Sequence, residues 1–334
     1  MRLSLLVVCY GEDVAPMLSE LDRQRAPGDE IIVVDNRAAE GGTAGVKGHP
    51  AIDRLIEPTW NMHYLHAMNL AAKNASGDAL VLLNPDAYPQ GGFLDAMRNP
   101  PEDWAGWTAV LTLPDGRHIN NGGGIVHFTG LAWSGRFGET VDELPDEPFE
   151  TGFLSGGALA IRRAAWEEMG GYAEVYGGYH EDTELSLRLR LAGHRYGVVP
   201  AARTAHDYVF EKGTRKWRNL ERNRWLTVLR IYPAPLLVLV LPALLAMELP
   251  MLAAAAIGGW GRWKVQSWID VAAWLPKIPQ DRRQIQATRR ITPRQFADGL
   301  SPELSSPFLG AIGRSRLLQA VLRAYWSAVR ALLP

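Results

Sequence analysis

Three acidic constellations in this 334-residue chain have the residue types and spacing for chemistry. Asn84-Pro85-Asp86 follows a continuous apolar run, residues 79–83. A carboxylate at the carboxyl end of a buried strand lies where open α/β sheets bind ligands. There it can hold a hard divalent cation that also grips a diphosphate, although Asn-Pro-Asp is equally good turn chemistry. Asp35-Asn36 ends an earlier apolar run in the same way. A carboxylate there can accept hydrogen bonds from a base or ribose, or can simply be a polar strand terminus. Glu181-Asp182 is reached through Gly177-Gly178-Tyr179-His180 and leads into a helical stretch, 183–191, stopped by Gly193. Asp182 could act only as an N-cap. Two adjacent acids on a glycine-rich approach better suit a base that removes a hydroxyl proton, with a pKa tuned by its neighbours. His206 follows the strand-like residues 196–200, where a neutral imidazole can complete a divalent-metal shell or serve as a structural histidine.

Holding such residues together requires strands that end side by side. Residues 3–9, 30–35 and 79–84 are apolar runs closing on polar residues, the pattern of strands buried on both faces. Residues 14–25 and 63–74 carry apolar side chains at three-to-four spacing and fit intervening helices. Ser76-Gly77-Asp78 is a turn between the second helix and its strand. A strand is expected over 154–162, then a short helix over 164–169 ended by Gly170-Gly171. The pattern weakens over 91–149, where Asn121-Gly122-Gly123-Gly124 and the acidic residues 139–150 read as loops over the sheet. This alternation predicts an α/β fold with a mostly parallel central sheet and flanking helices.

Bulk properties narrow the partners. Hydrophobic residues make up 47% and charged residues 21%, ordinary for a globular protein, and the net charge of −1 lends nothing to nucleic-acid binding. The single cysteine, Cys9, cannot form an internal disulfide and reads as a buried thiol in a reducing compartment. Residues 1–9 read as a first strand rather than a secretory leader, because Glu12 and Asp13 follow without a small-residue cleavage site. A cytoplasmic location is therefore expected for this part.

Composition changes after Asp207. Residues 212–230 are basic and helical, with Lys212, Arg215, Lys216, Trp217, Arg218, Arg222, Arg224, Trp225 and Arg230. Residues 235–257 are almost uncharged but interrupted by Pro242, Glu248 and Pro250. That length could just span a bilayer, and the interruptions favour a kinked helix or a re-entrant hairpin in one leaflet. Trp260, Trp263, Trp268 and Trp274 follow with Arg262 and Lys264, an interfacial mixture. Residues 309–333 form an amphipathic stretch, with Arg314, Arg316, Arg323 and Arg330 set against leucines, Tyr325 and Trp326. The division expected is 1–210 for the α/β part and 211–334 for a helical region whose segment 235–257 associates with a membrane. Soluble packing helices are the alternative.

Taken in order, these pieces resemble the family-2 glycosyltransferases of the GT-A fold, especially bacterial rhamnosyltransferase-like members. Asp35-Asn36 is followed by Asn61, Ala67 and Asn69, placed as in an Asn-x-Gly-Phe-Ala-x-x-x-Asn segment. Ala75-Ser76-Gly77-Asp78 then leads to Leu82-Leu83-Asn84-Pro85-Asp86-Ala87. Gly152, Ser155-Gly156-Gly157-Ala158 and Ile161-Arg162-Arg163 come next, then Gly170-Gly171-Tyr172, Glu181-Asp182, Arg188, Gly193, Pro200-Ala201 and His206. The resemblance implies an inverting transfer of a sugar from a nucleoside-diphosphate sugar to an acceptor hydroxyl, with Mg²⁺ or Mn²⁺. By it, Asp182 is the base supported by Glu181, and Asp86 with His206 serves the metal. Asp35, Asn36, Asn61, Asn69, Asn84, Asp86 and Arg222 serve the donor, with Arg222-Asn223 meeting the leaving diphosphate.

The apolar residues 235–257 beside basic, tryptophan-rich flanks point to a lipid-linked saccharide as acceptor, in cell-surface polysaccharide or glycolipid assembly. The implied location is the cytoplasmic, inner face of the cell membrane, peripheral or monotopic, with no nucleic-acid partner and the oligomeric state open. Met62-His63-Tyr64 departs from the usual Gly-Phe context, Arg37-Ala38-Ala39 lacks the usual hydroxyl residue, His180 replaces an aromatic, and an Asp before Glu174 is missing. A sugar-phosphate nucleotidyltransferase is disfavoured because Gly11-Glu12-Asp13 is not its glycine-rich loop. An inactive membrane-attached scaffold is disfavoured by the retained acids.

Overall fold

The computed structural model describes residues 1–206, 213–306, 313 and 315–334. Lys212 and Arg314 lie outside the described residues, as does the start of the amphipathic stretch from residue 309 to 312. The chain forms two compact units. The first contains Met1–Gly124, Ser134–Leu185 and the strand Arg195–His206; the second takes Ile125–Trp133, Ser186–His194 and the described residues from 213 onward.

In the first unit, β1 (Leu3–Cys9), α1 (Ala15–Gln24), β2 (Glu30–Asp35), β3 (Arg54–Ile56), α2 (His63–Lys73) and β4 (Ala79–Leu83) follow the expected alternation. β5 (Ala87–Pro89), α3 (Phe93–Arg98), β6 (Trp104–Thr112) and β7 (Ile119–Asn121) come next. β8 (Gly124–Val126) and β9 (Ala132–Ser134) make a separate two-stranded sheet. β10 (Phe149–Glu150), β11 (Ala158–Arg162), α4 (Arg163–Met169), α5 (Glu181–Leu191) and β12 (Arg195–His206) complete the α/β part.

The main sheet runs β10-β12-β6-β11-β4-β1-β2-β3, with β5 added to β12 and β7 to β6. β3, β2, β1 and β4 are mutually parallel and β12 is parallel to β6, while β11 and β10 run the other way. The sheet is therefore mixed but mostly parallel. β1 and β4 are buried along their whole length, which is why they carry uninterrupted apolar runs. Cys9 is fully buried, and burial pushes its thiol up to about 12, as expected of a structural cysteine.

Three expectations need correction. The weakly patterned region holds β6, nine buried residues that mix Trp, Ala, Gly and Thr and so show no period. Within the acidic stretch, Thr140 and Glu143 form a capping box, and Phe149–Glu150 pairs with β12. The strand expected from residue 154 begins only at Ala158, because Gly156 and Gly157 form a turn instead.

The second unit is helical: α6 (Lys216–Ile231), α7 (Ala234–Ile257), α8 (Gly261–Trp274), α9 (Ile278–Ala287), α10 (Pro293–Asp298) and α11 (Arg316–Leu332). The apolar segment is one continuous helix through Pro242 and Pro250, not a re-entrant hairpin. It is long and apolar enough to cross a membrane, and little of it is buried. Leu236, Val240 and Leu244 face inward at four-residue spacing, whereas Val238, Leu241, Leu245 and Leu249 are exposed.

Its one acid turns inward. Glu248 pairs with Arg224 at 2.6 Å and Lys264 at 2.7 Å, and both cations also pair with Glu221. Trp225 and Trp268 donate their indole N–H groups to Glu248 at 3.2 and 2.6 Å. The tryptophans expected at an interface are thus largely used inside the unit. Trp268 is bonded to Glu248, Trp260 stacks on Trp217 at 4.9 Å, and Trp263 and Trp274 donate to Thr214 and Asp281.

Candidate active site

The register of the parallel strands places the first acids on one edge. Cys9 pairs with Asp35 and Val7 with Leu83, so Asp35-Asn36 and Asn84-Pro85-Asp86 emerge together at the carboxyl ends of β2 and β4. Asp35 is buried, and its carboxylate accepts from the Thr43 amide at 2.7 Å, the Thr43 hydroxyl at 2.8 Å and the Arg37 amide at 3.0 Å. Asn36 accepts from the Met62 amide at 3.1 Å, tying the end of β2 to the start of α2. Asn61 accepts from the His63 amide at 2.9 Å, and His63 has a left-handed φ of 59°. That backbone region favours glycine, and a glycine is what the resembling segment has there.

Asp86 and His206 are 120 residues apart yet adjacent in space, His206 Nε2 lying 3.1 Å from Asp86 Oδ1. The cause is the pairing of β5 with the end of β12, which sets His206 opposite Ala87. The Asp86 side chain is 28% exposed and that of His206 only 6%. An open carboxylate beside a buried imidazole is a donor set that suits a divalent metal. Among the described residues, no three His, Cys, Asp or Glu side chains gather. The described residues thus offer two ligands here, and an ion bound by few protein groups completes its shell with water and substrate phosphates. Asn84 stands where a second acid could have been, and its backbone bonds to Gly157 and Ala87 fix the turn that presents Asp86.

Glu181 and Asp182 occupy the first turn of α5, so Asp182 is inside the helix rather than its cap. Asp182 Oδ2 accepts from the Gly156 amide at 3.0 Å and Oδ1 from the Thr183 amide at 2.7 Å. Burial raises the pKa of Asp182, while these two amides oppose the rise. Glu181 Oε2 is buried without a hydrogen bond. Burial and then the neighbouring Asp182 charge push Glu181 up to about 8. Two acids this close titrate as a pair, and the amide donors favour the carboxylate form at Asp182.

Two tyrosines complete this corner, and sequence reasoning assigned neither a role. Tyr64 and Tyr172 both have buried hydroxyls without a hydrogen bond. Burial raises both phenols, and the charges of Glu181 and Asp182 raise them further, with Asp86 also acting on Tyr64. The signal in the sequence was Tyr64 standing where the resembling segment has phenylalanine.

Asn69 is engaged within the protein. Its amide donates to Tyr172 O at 3.0 Å and Glu174 Oε1 at 3.2 Å and accepts from Tyr172 N at 2.9 Å. It clamps α2 to the loop that carries Tyr172. A Cβ on Gly171 would fall 2.6 Å from Asn69 Oδ1, which explains that glycine. Arg222 lies in the second unit on α6, where its Nε donates to Asn223 Oδ1 at 2.9 Å.

Comparison with known proteins agrees with this architecture. O-antigen biosynthesis protein RfbC of Myxococcus xanthus is 29% identical over 205 residues, covering 56% of this chain and 16% of that protein. An N-acetylglucosaminyl-diphospho-decaprenol L-rhamnosyltransferase of Mycobacterium tuberculosis is 28% identical over 209 residues, covering 55% of this chain and 68% of that protein. The chain thus matches only a small part of the first relative and about two thirds of the second. The crystal structure of GalNAc-T7 with UDP, GalNAc and Mn²⁺ superposes with a TM-score of 0.55 at 15% identity, over 70% of this chain and 48% of that one. At that identity the likeness concerns the fold, which is GT-A. Residues 4–170 match the family model Glycosyl transferase family 2, half of the 334 residues, and the chain belongs to that family.

Proposed function

We propose that this chain transfers a sugar from a nucleoside-diphosphate sugar to an acceptor hydroxyl with inversion at the anomeric carbon. The observation that carries the reading is the asymmetry of the acid pair. The Asp182 carboxylate accepts from two backbone amides, which favour its ionised form, whereas Glu181 Oε2 is buried without a hydrogen bond and burial pushes Glu181 up to about 8. An ionised carboxylate held in place is what a general base requires.

In this mechanism Asp182 takes the proton from the acceptor hydroxyl. The acceptor oxygen bonds to the anomeric carbon as the bond from that carbon to the diphosphate oxygen breaks. The electron pair leaves with the nucleoside diphosphate, and attack from the opposite face inverts the centre. Asp86 and His206 would hold Mg²⁺ or Mn²⁺. The chemistry such an ion supplies is neutralisation of the charge that develops on the leaving diphosphate. Asp35, Asn36 and Asn61 shape the donor end through the loops they fix, and Arg222 is assigned to the departing diphosphate.

For the acceptor we propose a lipid-linked saccharide, as the name of the Mycobacterium relative states for that protein. Rhamnose is the corresponding proposal for the sugar. The exposed apolar face of α7 supports a location on the inner face of a membrane, peripheral or monotopic. The domain assignment that goes with this reading is catalysis in 1–210 and membrane attachment in 211–334.

The test is turnover of a panel of nucleotide sugars with Mn²⁺ or Mg²⁺, supplied with polyprenyl-diphosphate saccharides as acceptors, beside Asp86→Ala. Metal-dependent transfer of one donor, lost in Asp86→Ala together with at least about tenfold of Mn²⁺-nucleotide affinity, supports the reading. Retained metal-dependent turnover in Asp86→Ala would remove the assigned ion site. Silence of the unaltered protein across the panel, without donor binding, would favour the inactive scaffold.

A further inference from the structure

Asp35 is fully engaged by its own loop. A carboxylate has about four lone-pair positions, and three of these are taken. Oδ1 accepts from the Arg37 amide at 3.0 Å and the Thr43 hydroxyl at 2.8 Å, and Oδ2 from the Thr43 amide at 2.7 Å. Gly42 packs against Oδ2, where a Cβ would stand only 3.2 Å away. At 3% exposure Asp35 presents almost no surface to a ligand. Its hydrogen bonds go to shaping residues 36–43.

What that loop presents outward is Arg37 and Glu40, whose side chains are 46% and 55% exposed. The guanidinium does not trail into solvent. It lies over Gly11, which has a left-handed φ of 100° and where a Cβ would stand 3.0 Å from an Arg37 guanidinium nitrogen. Tyr10 Oη donates to Glu40 Oε1 at 2.9 Å, fixing that carboxylate and leaving Oε2 toward Arg37 Nε. The separation there is 3.9 Å, too long for a hydrogen bond, and among the described residues the guanidinium has no acceptor. A donor and an acceptor thus stand side by side, each with capacity to spare.

Their place on the sheet gives this pair a ligand. Gly11 follows β1 and Arg37 follows β2, on the edge where Asp86 emerges from β4. β1 lies between β2 and β4, so a nucleotide whose diphosphate meets Asp86 extends its base over the ends of β1 and β2.

We infer that Arg37 and Glu40, rather than Asp35, read the nucleobase of the donor, and that they select a base with a ring carbonyl beside a ring N–H, as in uracil, thymine and guanine. The guanidinium donates to the carbonyl oxygen, and Glu40 Oε2 accepts from the ring N–H. Adenine and cytosine set a ring-nitrogen lone pair against Glu40 instead. The inference rests on the transferase reading and adds base specificity to it. It also gives a task to the arginine that replaces the usual hydroxyl residue after Asp35-Asn36.

The test is calorimetric binding of UDP, dTDP, GDP, ADP, CDP and inorganic diphosphate, each with Mn²⁺, to the unaltered protein, Arg37→Ala, Glu40→Ala and Asp35→Asn, with melting temperatures alongside. The unaltered protein is expected to bind at least one of UDP, dTDP and GDP about tenfold or more tightly than ADP and CDP. Arg37→Ala should weaken the preferred nucleotide roughly ten- to fiftyfold, the loss of a charge-assisted hydrogen bond, and Glu40→Ala should also erode the preference. In both, diphosphate affinity and melting temperature should stay unchanged. Asp35→Asn should lower the melting temperature, and its folded fraction should keep the base preference. A preference that survives Arg37→Ala, or that disappears in folded Asp35→Asn, would overturn the inference. So would an equal loss in Arg37→Ala on every nucleotide and on diphosphate, which would make Arg37 a phosphate ligand. Equal binding of all five nucleotides by the unaltered protein would overturn this inference alone; binding of none would refute the transferase reading and this inference with it.

Discussion

Replacing Asp182 by asparagine separates the two carboxylates more sharply than any other single change. Asp182 Oδ2 accepts from Gly156 N at 3.0 Å and Oδ1 from Thr183 N at 2.7 Å. Asparagine can meet only one of these amides with an oxygen; its NH₂ must confront the other. That mismatch costs about 1–3 kcal/mol of stability, which leaves a protein of ordinary stability folded. The effect on rate is larger, because the amide has no basic site. A positioned general base contributes about 10²–10⁴-fold, so kcat for transfer should fall by that factor while donor affinity stays within about threefold. Glu181→Gln should behave differently. With its pKa pushed up to about 8, Glu181 is mostly neutral at pH 7, and glutamine reproduces a neutral, hydrogen-bonding group of the same shape. Its kcat should remain within about tenfold of the unaltered enzyme. The assay is transfer at saturating donor, with donor affinity from calorimetry. A fall of less than tenfold in Asp182→Asn, or an equal fall in Glu181→Gln, would refute the division of roles.

Further outcomes follow from the same geometry. The pKa of Glu181 is raised in the folded state, so the folded protein holds a proton that the unfolded chain releases, and this group makes stability fall as pH rises from about 4.5 to about 8. Glu181→Gln should therefore raise the melting temperature more at pH 8 than at pH 5, and an equal change at both would contradict the assignment. Glu248→Ala should destabilise the second unit by about 3–5 kcal/mol in denaturant unfolding, because Arg224 and Lys264 would be left buried with Glu221 as their one remaining acid from the cluster. A loss under about 1 kcal/mol would show that the cluster is wet. Leu245→Glu with Leu249→Glu, at positions 57% and 75% exposed, should abolish sedimentation with liposomes while leaving the melting temperature nearly unchanged. Undiminished sedimentation would mean that α7 is not the surface that meets lipid.

Much of the α/β part was legible because its signals are local. Buried parallel strands write themselves as apolar runs, and the turn residues after them mark where a ligand can be met, so β1, β2, β4 and the positions of Asp35 and Asp86 could be read directly. β6 was missed for the complementary reason. Its burial comes from neighbours on both sides of the sheet, and a strand covered on both faces needs no alternation. For α7 the sequence left a kinked helix and a re-entrant hairpin open, and the single helix decides against the hairpin. Two prolines and a glutamate argue against a helix in isolation, yet Pro242 and Pro250 are accommodated and Glu248 finds two cations and two indoles inside the unit.

The sequence by itself determined the family, the order of the motifs and the identity of the acids, since these depend on residue type and spacing along the chain. Only the tertiary structure decided what those acids are. His206 becomes a partner of Asp86 because β5 pairs with β12 across 120 residues. Asp182 and Glu181 differ in surroundings because a turn at Gly156 delivers its amide to the Asp182 carboxylate, while Glu181 Oε2 is buried without a hydrogen bond. A pKa is set by dielectric surroundings and hydrogen-bond donors within a few ångströms. Those neighbours come from distant parts of the chain, and no reading of local sequence can supply them.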